Sequence, residues 1–160
     1  MNKVLFLVSL TICIFLNLGC FFNRKNLNYT LLDSSSIETP MWIFDHSLVE
    51  KDDKTYEYFI GEYDDKDKIE CKKGALFNAV EKIVDKIFQE IIKNNNDLIK
   101  QTDTEELKNR IRININGVEK VTNYWERKRY KKLPSDKNKI YSCYEVVRIK
   151  KELVKQLKQL

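Results

Sequence analysis

The sequence is poor in the residues that build compact chemical sites. Its 160 residues hold one histidine, His46, and four cysteines with no C-x-x-C or H-x-x-H spacing. A zinc site of the common Cys/His kind would have to be assembled from scattered segments. The four glycines, Gly19, Gly61, Gly74 and Gly117, stand alone, which excludes a glycine-rich phosphate loop. Nucleophilic catalysis needs a base beside its nucleophile and a third group orienting the base, and only His46 could be a conventional base. It sits between Asp45 and Ser47 in what reads as a short extended piece, where consecutive side chains point to opposite faces and make no relay. His46 is therefore expected to be a structural or surface residue. The acidic run with Asp52, Asp53, Asp64, Asp65 and Asp67 offers oxygen ligands of the kind calcium takes, but Lys66 and Lys68 put ammonium groups inside it, and no glycine holds the turn of an EF-hand. No catalytic residue, metal ligand or cofactor is expected.

Long apolar runs are equally scarce. One stands out, Val4 to Leu16, interrupted only by Ser9 and Thr11 and preceded by the positive Lys3. As a helix it would span roughly 20 Å, too short for a hydrocarbon core of about 30 Å and right for the apolar region of a signal peptide. It ends in Leu16, Asn17, Leu18, Gly19 and Cys20. That stretch resembles the lipobox of bacterial lipoproteins, in which a small residue precedes the cysteine that is diacylated and becomes the first residue of the mature chain. Asn17 departs from the pattern, which has a leucine three residues before the cysteine. The resemblance implies a signal peptide over 1–19, a lipid on Cys20 and firm tethering to a membrane, since two or three acyl chains hold where one does not.

Charge is uneven along the rest. Glu50 to Glu70 carries nine acids against four bases, whereas Glu119 to Lys132 carries six bases against two acids. Cys13 leaves with the leader and Cys20 takes the lipid, so Cys71 and Cys143 remain in a compartment that permits a disulfide. The sequence leaves open whether they lie within the roughly 4.4 to 6.8 Å between Cα atoms that a bridge requires.

Residues 20–39 mix Asn, Ser, Lys and Thr without a sustained period and read as the lipid anchor and a flexible tether; 40–160 reads as a single domain. Trp42 and Ile43 open it in extended form, and Thr55 to Tyr63 reads as an aromatic strand with Tyr56, Tyr58 and Ile60 on one face and Glu57, Phe59 and Gly61 on the other. Gly61 suggests a bulge or a close backbone approach. From Ile69 to Lys93 the apolar residues fall at three- and four-residue spacings, which predicts a long amphipathic helix. Thr102 or Asp103 is placed to cap a second, short helix ending near Lys108. Ile111, Ile113 and Ile115 alternate with polar residues and read as extended. Strands over Lys120 to Lys131 and Lys139 to Ile149, joined by a turn over Leu133 to Asn138, make an antiparallel hairpin, with Val121, Asn123 and Trp125 on one side of the first strand. A short helix over Lys150 to Leu160 closes the chain. The fold class expected is α+β in two layers, an antiparallel or mixed sheet of about four strands packed against the long helix plus shorter ones.

The order of these landmarks resembles that of the LPP20 family of small envelope lipoproteins, a group of antigens. The residues that carry it are Pro40, Met41 and Trp42; Tyr58 to Gly61; the small residues Gly74, Ala75, Asn78 and Ala79; Tyr124 and Trp125; and Tyr144 to Ile149. The Lys/Asn/Ile-rich composition departs from that family's repeated alanines and suggests an AT-rich genome such as a spirochaete's. The resemblance implies a two-layer domain at the cell envelope without established catalysis. One basic patch, Arg127, Lys128, Arg129, Lys131 and Lys132, interleaved with aromatics, could hold an anionic ligand or partner. For an exported chain an acidic lipid head group, a sulfated host polysaccharide or an acidic protein suits it better than nucleic acid. The expectation is a non-enzymatic, lipid-anchored envelope module, at the outer membrane in preference to the inner, interacting with another envelope protein or a host ligand. The alternative is an envelope-polymer hydrolase built on carboxylates the sequence does not reveal.

Overall fold

The computed structural model describes residues 28–49, 53–94, 104–132, 134 and 139–158. A strand β1 (Tyr29–Ser34) and two short 3₁₀ turns (Met41–Ile43 and His46–Leu48) precede strand β2 (Tyr56–Asp65). Helices α1 (Lys68–Asn94) and α2 (Thr104–Asn114) follow, then strands β3 (Glu119–Tyr130) and β4 (Lys139–Lys150) and a final helix α3 (Lys151–Leu157). The strands form one fully antiparallel sheet in the order β1-β3-β4-β2. Helices cover one face of it, so the architecture is the two-layer α+β one that the sequence periods imply.

Helix α1 starts where Asp67 caps it: the carboxylate accepts from the backbone N–H of Ile69 (2.8 Å) and Glu70 (3.0 Å). Its buried stripe, Cys71, Ala75, Ala79, Ile83, Val84, Ile87, Phe88 and Ile91, lies against Val147 and Ile149 of β4 and Phe59 of β2. Leu107 and Ile111 of α2 and Val154 and Leu157 of α3 complete that core. Each fully buried Ile contributes roughly 1.5–3 kcal/mol. Gly61 lets the helix sit this close, because a Cβ there would stand 1.9 Å from the Ala75 carbonyl oxygen and 2.4 Å from the Ala79 nitrogen. The β2–β4 register runs through it unbroken, so this glycine marks a close approach and not a bulge. The register shifts instead at Val121, skipped between the Lys120–Val147 and Thr122–Val146 pairs, and at Leu32, skipped between Leu31–Lys128 and Asp33–Arg127.

Three expectations need correction. The segment expected to be a tether over 20–39 contains β1, which pairs with β3 from Tyr29 opposite Tyr130 to Ser34 opposite Glu126; residues 20–27 lie outside the described residues. An edge strand needs only one neighbour, and most of β1 is exposed, so no apolar alternation advertises it. Trp42 and Ile43 form a 3₁₀ turn instead of an extended piece. Ile111 and Ile113 belong to α2, which runs six residues beyond Lys108: Leu107 and Ile111 face the core four residues apart, while Ile113 is 81% exposed. The alternation there is coincidental. The proposed caps Thr102 and Asp103 and most of the β3–β4 turn lie outside the described residues. The turn before β3 is at Gly117, where φ is 66°.

Two ion pairs fix α2 on α1. Arg112 donates to both Glu81 carboxylate oxygens from Nε and Nη2 (2.8 and 2.7 Å), which holds the carboxyl below its ordinary range, and Lys108 reaches Asp85 at 2.7 Å.

Candidate functional site

The two-residue period of a strand sorts the sheet's side chains onto two faces. Toward the helices point Phe59 and Gly61 of β2, Trp125 of β3, and Cys143, Glu145, Val147 and Ile149 of β4. There Cys71, in the first turn of α1, is joined to Cys143 by a disulfide, with 5.7 Å between Cα atoms. Trp125 packs beside the bridge, and the Lys68 ammonium lies 3.4 Å from the centre of its ring. Glu145 is buried on this face, with one carboxylate oxygen unpaired except for the Lys120 ammonium 3.6 Å away. Burial pushes its pKa up, against the pull of Lys120 and Lys72.

The opposite face holds an unusually polar set for a sheet interior. The register aligns Asp64 of β2, Ser142 of β4 and Glu126 of β3 in one row, and Glu62, Tyr144 and Tyr124 in the next; Lys128 follows Glu126 along β3. The segment between β1 and β2 crosses over these rows. Thr39 shares a hydrogen bond with the Tyr124 hydroxyl (3.2 Å), Trp42 stands edge-on to Tyr144 (6.4 Å between centroids), and His46 Nε2 lies 3.5 Å from Glu62. Beneath and beside this cover Glu126 and Lys128 are buried and form an ion pair at 2.7 Å, with the Lys128 ammonium 4.8 Å from the centre of the Tyr29 ring. Burial works against the ammonium, but Glu126, Tyr144 and Tyr29 together more than offset it, so the pKa of Lys128 stands above the ordinary lysine value. Burial likewise pushes the Tyr144 hydroxyl up to about 12.

A pocket of about 310 Å³ opens on this face, lined by Glu62, Asp64, Lys128, Ser142 and Tyr144 among others. Ser142 is only 2% exposed, and its hydroxyl has no hydrogen-bond partner. Among the described residues, Ser142 Oγ and Glu145 Oε1 are the buried side-chain oxygens left in that condition.

The basic patch read from sequence is divided by the strand's own period. Lys128 turns to the outer face, where Glu126 neutralises it, so it is not part of any exposed patch. Arg127 turns to the helix face and stacks half-buried over Tyr141, its guanidinium carbon 5.2 Å from the ring centre. Arg129, Lys131 and Lys132 are exposed at the end of the hairpin, where the Lys131 N–H donates to the Asn28 carbonyl (3.0 Å). His46 is a half-exposed residue of a 3₁₀ turn, not of a strand; Asp45 caps that turn and engages the Ser47 hydroxyl at 2.6 Å. The acidic run is likewise used locally: Asp53 accepts from Thr55 and Tyr56 N–H and from the Tyr58 hydroxyl, and these bonds lower its pKa, while Asp65 and Asp67 cap the turn into α1. Cys20 lies outside the described residues, and no helix among the described residues is long and apolar enough to cross a membrane.

Comparison with protein-family models, with curated proteins and with solved structures returns no match.

Proposed function

We propose that this chain is a non-enzymatic lipoprotein of the cell envelope, held by lipid on Cys20, whose domain serves as an interaction module. The observation that carries this reading is the Cys71–Cys143 disulfide. Such bridges persist in oxidising compartments outside the cytosol, so the bridge supports export independently of the leader and its lipobox-like end. A second feature agrees with anchoring. The chain enters the sheet at Asn28, beside the exposed Arg129, Lys131 and Lys132. Eight residue steps separate Asn28 from Cys20, at most about 28 Å of extended chain, so that basic end stays near the lipid surface and favours anionic head groups.

Thiol trapping tests the reading. In cells making the full chain, Cys71 and Cys143 resist a thiol-reactive polyethylene glycol until a reductant is added; without residues 1–19 both react at once. Equal reactivity of both forms before reduction contradicts export.

A further inference from the structure

We infer that the segment crossing the outer face of the sheet, Ser35 to Val49, lays an apolar side of its own into the surface of the lipid bilayer, as a second point of attachment beside the lipid on Cys20. The inference rests on the anchored reading above and adds to it where the domain touches the membrane.

Among the described residues, six of the eleven large apolar side chains that stand exposed fall between Leu31 and Leu48, so apolar exposure is concentrated there and not scattered over the domain. Within the crossing segment Thr39, Trp42 and His46 reach down to Tyr124, Tyr144 and Glu62. Ile37, Met41, Phe44 and Leu48 are instead 99, 66, 72 and 48% exposed and stand away from the sheet. Met41 opens a 3₁₀ turn that Phe44 closes, and the Phe44 N–H donates to the Met41 carbonyl (3.0 Å). Residues three apart in such a turn lie one above the other, so these two side chains share one side. The segment is amphipathic, with its polar contacts beneath and its apolar side outward.

Two observations favour lipid as the occupant. The first is the backbone. The N–H groups of Ile43, Asp45, Leu48 and Val49 donate to the carbonyls of Pro40, Met41, Asp45 and His46 at 3.0 to 3.2 Å, and the Ser36 hydroxyl donates to the Glu38 carbonyl. A main chain bonded to itself suits a medium that offers no hydrogen-bond partners, whereas a protein that docks by adding a strand needs those groups free. Asp45 is turned onto Ser47 and His46 toward Glu62, which leaves Glu38 for the head-group layer. The second is reach. Cys20 is eight residue steps from Asn28, at most about 28 Å of chain, and β1, six residues long, spans about 20 Å from there to the start of the segment. The lipid on Cys20 therefore has chain enough to enter the bilayer beside Ile37. Apolar side chains of an interfacial segment sink ~5–10 Å into the boundary between head groups and acyl chains, which needs no anionic lipid.

The test uses the lipidated chain purified from membranes and placed on phosphatidylcholine vesicles, with Phe44→Trp as the probe. Position 44 is exposed, so the fold tolerates the change, and Met41→Trp repeats the reading independently. Co-sedimentation reports the anchor, and quenching by phosphatidylcholine brominated near the top of its acyl chains reports the segment. The emission added by either substitution is expected to shift to the blue on vesicles and to fall by about half or more with bromine, as a depth of ~5–10 Å requires. Met41→Ser with Phe44→Ser is expected to pass between vesicles about tenfold faster than the parent. A chain that sediments with vesicles while neither Phe44→Trp nor Met41→Trp is quenched overturns the inference and leaves the anchor standing. A chain that does not sediment overturns the anchored reading and this inference with it. Unchanged transfer in the double variant overturns the inference, and so does a dimer in mild detergent that the double variant abolishes, which would assign the apolar side to a second copy of the chain.

Discussion

Cys71 and Cys143 join the first turn of the long helix α1 to β4, one of the two inner strands, across 72 residues of sequence. The bond closes a loop that contains α1, α2 and β3, so its main effect is on the freedom of the unfolded chain. Reduction, or the pair Cys71→Ala and Cys143→Ala, is expected to lower stability by about 2–4 kcal/mol, read from urea unfolding with and without dithiothreitol. An unchanged midpoint on reduction would show that the bridge does not form.

Gly61 and Ala75 set how closely helix and sheet approach. A Cβ at position 61 would press into the Ala75 carbonyl and the Ala79 backbone nitrogen, neither of which is a flexible side-chain end. Gly61→Ala is expected to cost about 2 kcal/mol or more by forcing α1 off the sheet. Thermal unfolding of the variant measures it, and a loss under about 0.5 kcal/mol would contradict the contact.

Two carboxyls should shape the pH dependence of stability in opposite directions. Glu145 has a raised pKa in the fold, so the folded chain holds that proton longer than the unfolded one. Its contribution is fully present below the ordinary value of 4.5 and is lost as pH rises through the folded value. Asp53 is lowered, first by the Thr55 N–H, so its contribution is present above 3.8 and lost as pH falls through the folded value. Glu145→Gln is expected to flatten the decline above pH 4.5 and raise stability at pH 7 by about 1 kcal/mol, in line with the cost of burying an unsatisfied group. Asp53→Asn is expected to flatten the acid limb. Melting temperatures across pH 3 to 8 check both, and a Glu145→Gln curve parallel to the parent's would contradict the first.

The exposed basic end beside Asn28 predicts a lipid preference. Lys131→Glu with Lys132→Glu is expected to weaken binding of the full chain to vesicles rich in anionic lipid, on the order of 1 kcal/mol for each lysine's charge removed, with little change on neutral vesicles. Co-sedimentation at two salt concentrations measures this. Equal losses on both kinds of vesicle would remove the electrostatic role.

The sequence is most legible where period and burial agree. The long helix can be read because its apolar stripe is continuous from Cys71 to Ile91, and the hairpin because Trp125 and Tyr124 alternate between faces that are both covered. The extent of α2 cannot, because isoleucines at 111, 113 and 115 satisfy a period of two and, from 107 to 111 to 115, a period of four; only packing against α1 decides between them. β1 is hidden since its apolar residues Leu31 and Leu32 are exposed and its order comes from a partner a hundred residues away. The strand period by itself divides the basic patch, because Lys128 must face away from Arg127 and Arg129. The pocket is beyond the reach of sequence, for Glu62, Ser142 and Lys128 meet only through the strand order β3-β4-β2 and its register.

Labelling with a clickable palmitate tests the central claim most directly. The full chain is expected to take up label and partition with the membrane, and Cys20→Ala to take up none. Label that persists in Cys20→Ala, or a full chain that stays unlabelled and free of the membrane, would contradict it.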